Sequence, residues 1–401
     1  MLRATLPTCL LALLLAGLAG PAVGAEIFQL DDPRGDDFGA GDLVYPNDPD
    51  FEPGSLDLEF LSARAASDGT WFRARMGRPI RSPVGRVTSL GAEPLEQIVR
   101  NGFYTFNIDI YIDTDRIAGS GRIDTMPGRM VSVHRDSAWE KAVILTPRPQ
   151  VARSWYVNHL VEQEESLLRA GKGRVDRDDM TAIEARVEAQ VSAEVYFPNR
   201  VRVRGREIEF FVPAEFLDGT ARPDWAYTVL VTGADVEQAT KVLNISPGAF
   251  SLMAMPVARG RAPDRWGIIQ QGDFNQPPVI DVLAPTVAEQ QRVLSDYDVV
   301  EPRLAAVPGI SPDGREAVAG APPPPRGASP AGTAPGVTPA TPSAASGAAS
   351  GVASGAAPAA PAETGRRTIP ARLRTLNELR DEGLVTEEEY QRLRRKILSE
   401  I

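Results

Sequence analysis

From Ala321 to Gly365 every residue except Arg326, Val337, Val352 and Glu363 is Ala, Pro, Gly, Ser or Thr. A stretch with so few branched or aromatic side chains cannot bury enough surface to offset the entropy of ordering itself, which predicts an extended, mobile tether. Folded structure must therefore lie before it or after it. The tether is expected to begin near Glu301, giving a linker over residues 301–367. A short segment, 368–401, then lies behind it and the bulk of the chain ahead.

The N-terminus reads as a leader. Met1 to Ala25 opens with Arg3, runs through Leu10, Leu11, Leu13, Leu14, Leu15 and Leu18, and ends on the small residues before Glu26. That pattern predicts a secretory signal peptide over residues 1–25. Its apolar run is shorter than the roughly 20 residues needed to span a bilayer as a helix. The expectation is an exported protein, periplasmic or extracellular, with no transmembrane anchor after cleavage. Cys9 is the sole cysteine of the 401-residue chain and would leave with the leader.

Composition removes several function classes. Against 43 Lys and Arg stand 53 Asp and Glu, a formal charge of −10. Nucleic-acid partners call for a basic surface and are not expected. One Cys and two His cannot furnish a zinc finger, an iron–sulfur centre or a His-rich metalloenzyme. There is no Gly-x-Ser-x-Gly elbow, metalloprotease His pair or phosphate-binding glycine loop, so the chain does not read as an enzyme. His134 and His159 belong to no motif and read as turn or surface residues.

Between residues 26 and 300 the dominant signal is alternation. In Phe103–Asp113, Tyr104, Phe106, Ile108, Ile110 and Ile112 alternate with Thr105, Asn107, Asp109 and Tyr111, a strand with one face to a core. Val201 and Val203, then Arg204-Gly205-Arg206, then Ile208, Phe210 and Val212 predict a hairpin. Further strands are expected at Leu56–Ala65, Thr70–Met76, Ala138–Leu145 and Tyr227–Thr232. Many short strands without interleaved helices predict a mainly β protein, an antiparallel β-sandwich. One interruption, about residues 154–194, has helical spacing: Tyr156, Leu160, Leu167 and Leu168 end at Gly171, a candidate C-terminal cap, and Ile183, Val187 and Val191 follow at intervals of four. This inserted helical hairpin reads equally as a docking or dimerisation arm and as a lid on its own sandwich.

Behind the tether, Leu373, Leu376 and Leu379 lead to Gly383. Thr386 and Glu389 then form a capping box flanked by Val385 and Tyr390. Leu393, Ile397 and Leu398 share a face of the second helix. A helical hairpin this small rarely folds unaided, so Leu376, Leu379, Tyr390, Leu393 and Ile397 are candidates for self-association or a protein partner.

The candidate chemistry is acidic. Glu26 to Ala65 holds 11 acidic residues against 2 basic ones. Asp31, Asp32, Asp36, Asp37 and Asp42 are interspersed with Gly35, Gly39 and Gly41, whose backbones permit a loop to fold its carboxylates around a hard cation. Calcium, with its six to eight oxygen ligands in irregular geometry, suits such a loop better than magnesium. The spacing is not that of an EF-hand. A second candidate, Asp113 and Asp115 with Asp124, surrounds the Gly119-Ser120-Gly121 turn. The alternative for both clusters is ordinary solvated turn carboxylates. Sugar binding would need exposed aromatic faces. Of Trp71, Trp139, Trp155, Trp225 and Trp266, the alternation makes Trp139 structural, and Trp155 and Trp266 are the candidates.

Two resemblances follow from particular blocks. Asp31-Asp32-Pro33-Arg34-Gly35-Asp36-Asp37-Phe38-Gly39-Ala40-Gly41, Tyr45-Pro46, Phe51 to Leu58, Ile108 to Asp115, Ala138 to Ala142, Val279 to Leu283 and Gln290 to Leu294 resemble the C-terminal module of glucodextranase, a β-sandwich related to carbohydrate-binding modules. The helical arm and Gln270-Gln271-Gly272-Asp273 depart from that pattern. The resemblance implies a non-catalytic domain that binds polysaccharide or cell-envelope glycan; a scaffold that binds protein instead is the alternative. Leu379 to Tyr390 resembles the short C-terminal helical domain called SHOCT, which implies an oligomerisation or interaction element.

Overall fold

The computed structural model describes residues 24–45, 50–87, 94–234, 236, 258–259, 277–298 and 303–319. The expected C-terminal hairpin, most of the leader, the low-complexity tether and Trp266 lie outside them. In chain order the strands are β1 (Glu26–Asp31), β2 (Leu43–Val44), β3 (Leu58–Ala66), β4 (Gly69–Met76), β5 (Phe106–Asp113), β6 (Val131–Val133), β7 (Lys141–Leu145), β8 (Val195–Tyr196), β9 (Val201–Arg204), β10 (Glu207–Pro213), β11 (Ala226–Gly233), β12 (Ala258–Arg259), β13 (Val279–Val282) and β14 (Ala305–Val307). The helices are α1 (Leu95–Ile98), α2 (Pro149–Lys172), α3 (Arg177–Glu194), α4 (Ala214–Leu217) and α5 (Val287–Ser295), with a 3-10 turn at Arg135–Ser137.

Two five-stranded sheets carry the fold, in the orders β1-β3-β4-β10-β9 and β13-β11-β5-β7-β8. They pack face to face. Phe72, Ala74 and Met76 of β4 and Ile208, Phe210 and Val212 of β10 meet Ile108, Ile110 and Ile112 of β5 and Tyr227, Val229 and Val231 of β11 in one buried core. This is the sandwich expected from alternation, because each strand sends every second side chain inward. The hairpin turn is also as expected, with Gly205 at φ 60° joining β9 to β10.

The second sheet is buried on both faces, which alternation alone does not report. All eight residues of β5 are buried. The inward face of the sheet meets the first sheet, and its outer face, through Tyr111 of β5 and Ala142 and Ile144 of β7, meets a second core built from α1, α2, α3, α5, β6 and β14. A buried ion pair lies in that outer layer. Arg129 Nε and Nη2 donate to Asp109 Oδ2 and Oδ1 at 2.7 and 2.8 Å, both residues being fully enclosed.

The helical interruption spans α2 and α3, longer than the expected 154–194. It ends its first helix at Gly173, φ 79°, rather than Gly171. Asp176 begins the second helix with a capping box to Asp179. Only Pro149, Ala152 and Tyr156 of α2 and Ile183, Val187 and Val191 of α3 are buried, so the root of the arm packs on its own sandwich. Because this pair carries the chain from β7 to β8, those two strands run parallel, the exception in an otherwise antiparallel pair of sheets.

The packed chain also continues past the expected linker start at 301. Ala305 and Val307 are buried, β14 pairs in parallel with β6, and Ile310 bridges to Tyr227. Alternate apolar residues in this short strap supply a strand's inward face, which outweighs its Pro and Gly content. No helix among the described residues is long and apolar enough to cross a membrane.

Candidate metal centre

The acidic loop follows β1 and lies against β13. Gly39 N donates to Ile280 O at 2.8 Å, and a side chain at residue 39 would meet Leu43 and the carbonyl of Val279, so the approach requires glycine. Asp32 Oδ1 accepts from Ala284 N at 2.8 Å, just beyond β13. Asp281, in the middle of β13, accepts through Oδ2 from Leu58 N at 2.6 Å. Gln290 of α5, fully buried, donates to the carbonyl of Asp36 and accepts from Val282 N at 2.9 Å. The loop, two strands and one helix thus converge.

At the convergence, carboxylate oxygens of Asp32, Asp36 and Asp281 all lie within 4.8 Å of one another, and all three residues are buried. Asp32 Oδ2, both oxygens of Asp36 and Asp281 Oδ1 have no hydrogen-bond partner. Asp57 stands beside them, accepting from Gly35 N at 2.9 Å. Among the described residues, no Lys, Arg or His forms an ion pair with Asp32, Asp36, Asp57 or Asp281. Buried carboxylates left unpaired are costly, and the group responds by holding protons. Burial first, then the charges of Asp36 and Asp57, pushes Asp32 up to about 9 against the hydrogen bond from Ala284. Burial and the charges of Asp57 and Asp37 raise Asp36 to about 7. Burial foremost raises Asp57 to about 6. Asp281 is raised well above the usual range by burial, then by Asp32 and Asp36. Hard, anionic oxygens with unused lone pairs are the donor set that a calcium ion takes.

The remaining candidates are placed differently. Asp37 is buried one residue on, where its Oδ2 accepts from Gly54 N at 2.7 Å and from the Tyr45 hydroxyl, closing the loop onto those two residues. Asp31 is exposed and accepts from Gln29 Nε2 at 2.7 Å, and Asp42 is exposed. Asp57 and Asp281 are not among the candidates the sequence singles out. The signal for Asp281 was in the sequence, since one Asp within Val279-Ile280-Asp281-Val282-Leu283 puts a carboxylate in a strand otherwise apolar.

In the second cluster, Asp113 and Asp115 are joined by Glu140, again with oxygens within 4.8 Å. Its oxygens already have partners. Asp113 accepts from Arg116 N at 2.6 Å and from Arg116 Nη1 at 2.8 Å. Glu140 Oε2 accepts from Thr114 N and Oγ1, and Asp115 Oδ1 accepts from Ile117 N and Ser120 Oγ. Asp124 pairs with Arg122. Arg116 offsets the charge of Asp113, so less carboxylate charge is left uncompensated here than at the first cluster.

The aromatic candidates separate as well. Trp139 is buried and donates from Nε1 to Asp124 O at 2.8 Å. Trp225 is buried in the inter-sheet core. Trp155 is half-buried at the root of the arm and stacks on His159 at 5.7 Å. His134 accepts from Asp136 N, capping the 3-10 turn. Trp71 is half-buried on the outer face of the first sheet.

No curated protein matches the chain. A family model for the short C-terminal domain matches residues 371–398, the segment singled out as SHOCT-like. The model for the C-terminal binding-module, SLH-like, of glucodextranase matches residues 27–309, from the first residues of β1 through β14, and the chain belongs to that family.

Proposed function

We propose that this chain is an exported, non-catalytic glycan-binding module whose acidic loop is closed on the sandwich by one calcium ion held by Asp32, Asp36 and Asp281, with Asp57 beside them. The observation that carries the reading is the set of buried carboxylate oxygens without partners at the junction of loop, β13 and β3. Membership of a binding-module family supports the non-catalytic part. Catalysis by these carboxylates is disfavoured on two grounds. They are closed to solvent, and their oxygens are nearer than the roughly 5 to 9.5 Å that separates a glycosidase pair across its substrate. Binding must then use another surface, and calcium acts on the fold.

The C-terminal segment is, in this proposal, a self-association or partner element using Leu376, Leu379, Tyr390, Leu393 and Ile397. Light scattering of the full chain and of a chain ending before Arg366 tests this part: the longer form has the higher mass, and equal masses contradict it. For glycan binding, the test is affinity electrophoresis of the full chain through gels containing dextran, starch or cell-wall polysaccharide, with calcium present. Retardation in at least one gel is expected. Unretarded migration in all of them would leave the fold as a scaffold without a glycan ligand.

A further inference from the structure

The second sheet is covered on both sides, but the outer face of the first sheet has no helix laid across it among the described residues. Inward side chains there are Phe72, Ala74 and Met76, so Trp71 and Arg73 point outward. Register places Glu26, Arg64, Trp71 and Phe211 in one row across four strands, and Ser62, Arg73, Glu209 and Arg202 in the next. Between these rows lies a cavity of about 290 Å³ walled by Ser62, Arg64, Trp71, Arg73 and Glu209, and by Gly24 and Glu26 on either side of the expected leader cleavage.

From this geometry we infer that the cavity is the glycan subsite, seating one neutral pyranose unit against Trp71; the inference rests on the glycan-binding reading above. Three observations lead to it. The Trp71 ring is held in place, with Phe211 at 5.3 Å and the guanidinium groups of Arg202 and Arg200 over it at 4.4 and 5.5 Å, so the part of the ring that walls the cavity is fixed before any ligand arrives. Two arginines and two glutamates balance in charge, which favours a neutral ligand over an acidic one. Their ion pairs are loose, Arg64 to Glu209 at 3.7 Å and Arg73 to Glu26 at 3.9 Å, beyond hydrogen-bond length. Apart from the bond from Arg73 Nε to Ser62 Oγ at 3.3 Å, no hydrogen bond among the described residues occupies the side chains of Arg64, Arg73, Glu26 and Glu209, which leaves N–H donors and carboxylate acceptors to meet sugar hydroxyls. The volume, at the low end for small-molecule sites, fits one ring rather than several. By contrast, the larger cleft of about 680 Å³ near the 3-10 turn and α5 has no Trp, Tyr or Phe in its walls.

Titration calorimetry on the full chain with maltoheptaose, isomaltoheptaose, cellohexaose and an oligogalacturonate tests the assignment. Wild type is expected to bind at least one of the three neutral oligosaccharides. Trp71→Ala and, on the rim, Glu209→Ala should each weaken that binding tenfold or more with melting temperatures near wild type, while Trp155→Ala binds as wild type. Glu209 lies outside the core, so its variant reports on the site even if Trp71→Ala folds poorly. Undiminished binding by the Trp71 and Glu209 variants would overturn the site and leave the glycan-binding reading standing. Binding of the oligogalacturonate alone would overturn the neutral class. If wild type binds none of the four, the reading and this inference fall together.

Discussion

Asp281 is the residue on which the candidate centre turns. Its strand neighbours are apolar, it has no solvent exposure, and one of its oxygens has no partner, so an amide there should relieve the metal-free protein and disable the metal-bound one. The expected outcome for Asp281→Asn is loss of most of the calcium-dependent rise in melting temperature, with unchanged or higher stability in chelator. The pH dependence follows from the same group. Asp32, Asp36 and Asp57, at about 9, 7 and 6, are raised above the ~3.9 of an unfolded aspartate, so the folded state holds more protons. Their contribution is fully present below about pH 4 and is lost progressively as pH rises to about 6, 7 and 9. Chelator-treated protein should therefore unfold at lower urea near about pH 8 than near about pH 5, and calcium should remove or reverse that difference. Arg129 offers a separate prediction. Arg129→Leu leaves Asp109 buried and uncompensated, which should cost about 3–5 kcal/mol by urea unfolding. Asp32 and Asp36 are legible as candidate ligands because acidic and glycine residues crowd one short loop. Asp57 and Asp281, which the fold brings beside them, are not, because the residues of such a cluster are gathered by tertiary folding and need not be neighbours in sequence.

Among elements, the strands were the most legible. β3, β4, β5, β10 and β11 all lie where alternating residues place them, because a sheet with one buried face writes its pleat into the sequence. β5 shows where that rule stops: both its faces are covered, yet Asn107, Asp109 and Asp113 remain polar, each tied to a buried partner rather than to solvent. The arm was legible as two helices, but not its seating, since the spacing of Ile183, Val187 and Val191 does not say what they face. α2 runs about 36 Å at 1.5 Å per residue, and its buried residues are confined to its first turns. Ile183→Ala should thus cost about 2–5 kcal/mol, while Leu167→Ala, on the outer part of α2, should stay within about 0.5 kcal/mol. The strap at 303–319 reads as linker in the sequence because its Pro and Gly content masks a strand. Ending the chain after residue 302 should lower the melting temperature, and ending it after residue 319 should leave it unchanged.

For the molecule as a whole, the sandwich brings together segments far apart in the chain. The loop after β1, the strand β3 and the strand β13 with α5 meet at the carboxylates, and they are joined there by a few hydrogen bonds across more than 220 residues of sequence. An ion at that junction would tie the two ends of the domain to one another and would offset the charge of Asp32, Asp36, Asp57 and Asp281, which pair with no basic residue among the described residues. Ligand bound only to the folded state stabilises it by about 2.7 kcal/mol at 100 times its dissociation constant, or roughly 5 to 10 °C for a domain of this size. Thermal unfolding of the full chain at about pH 8, in millimolar calcium and in excess chelator, measures that quantity directly. The account predicts a melting temperature higher in calcium by roughly 5 to 10 °C, with magnesium giving little of it. Superimposable curves in calcium and chelator would contradict it.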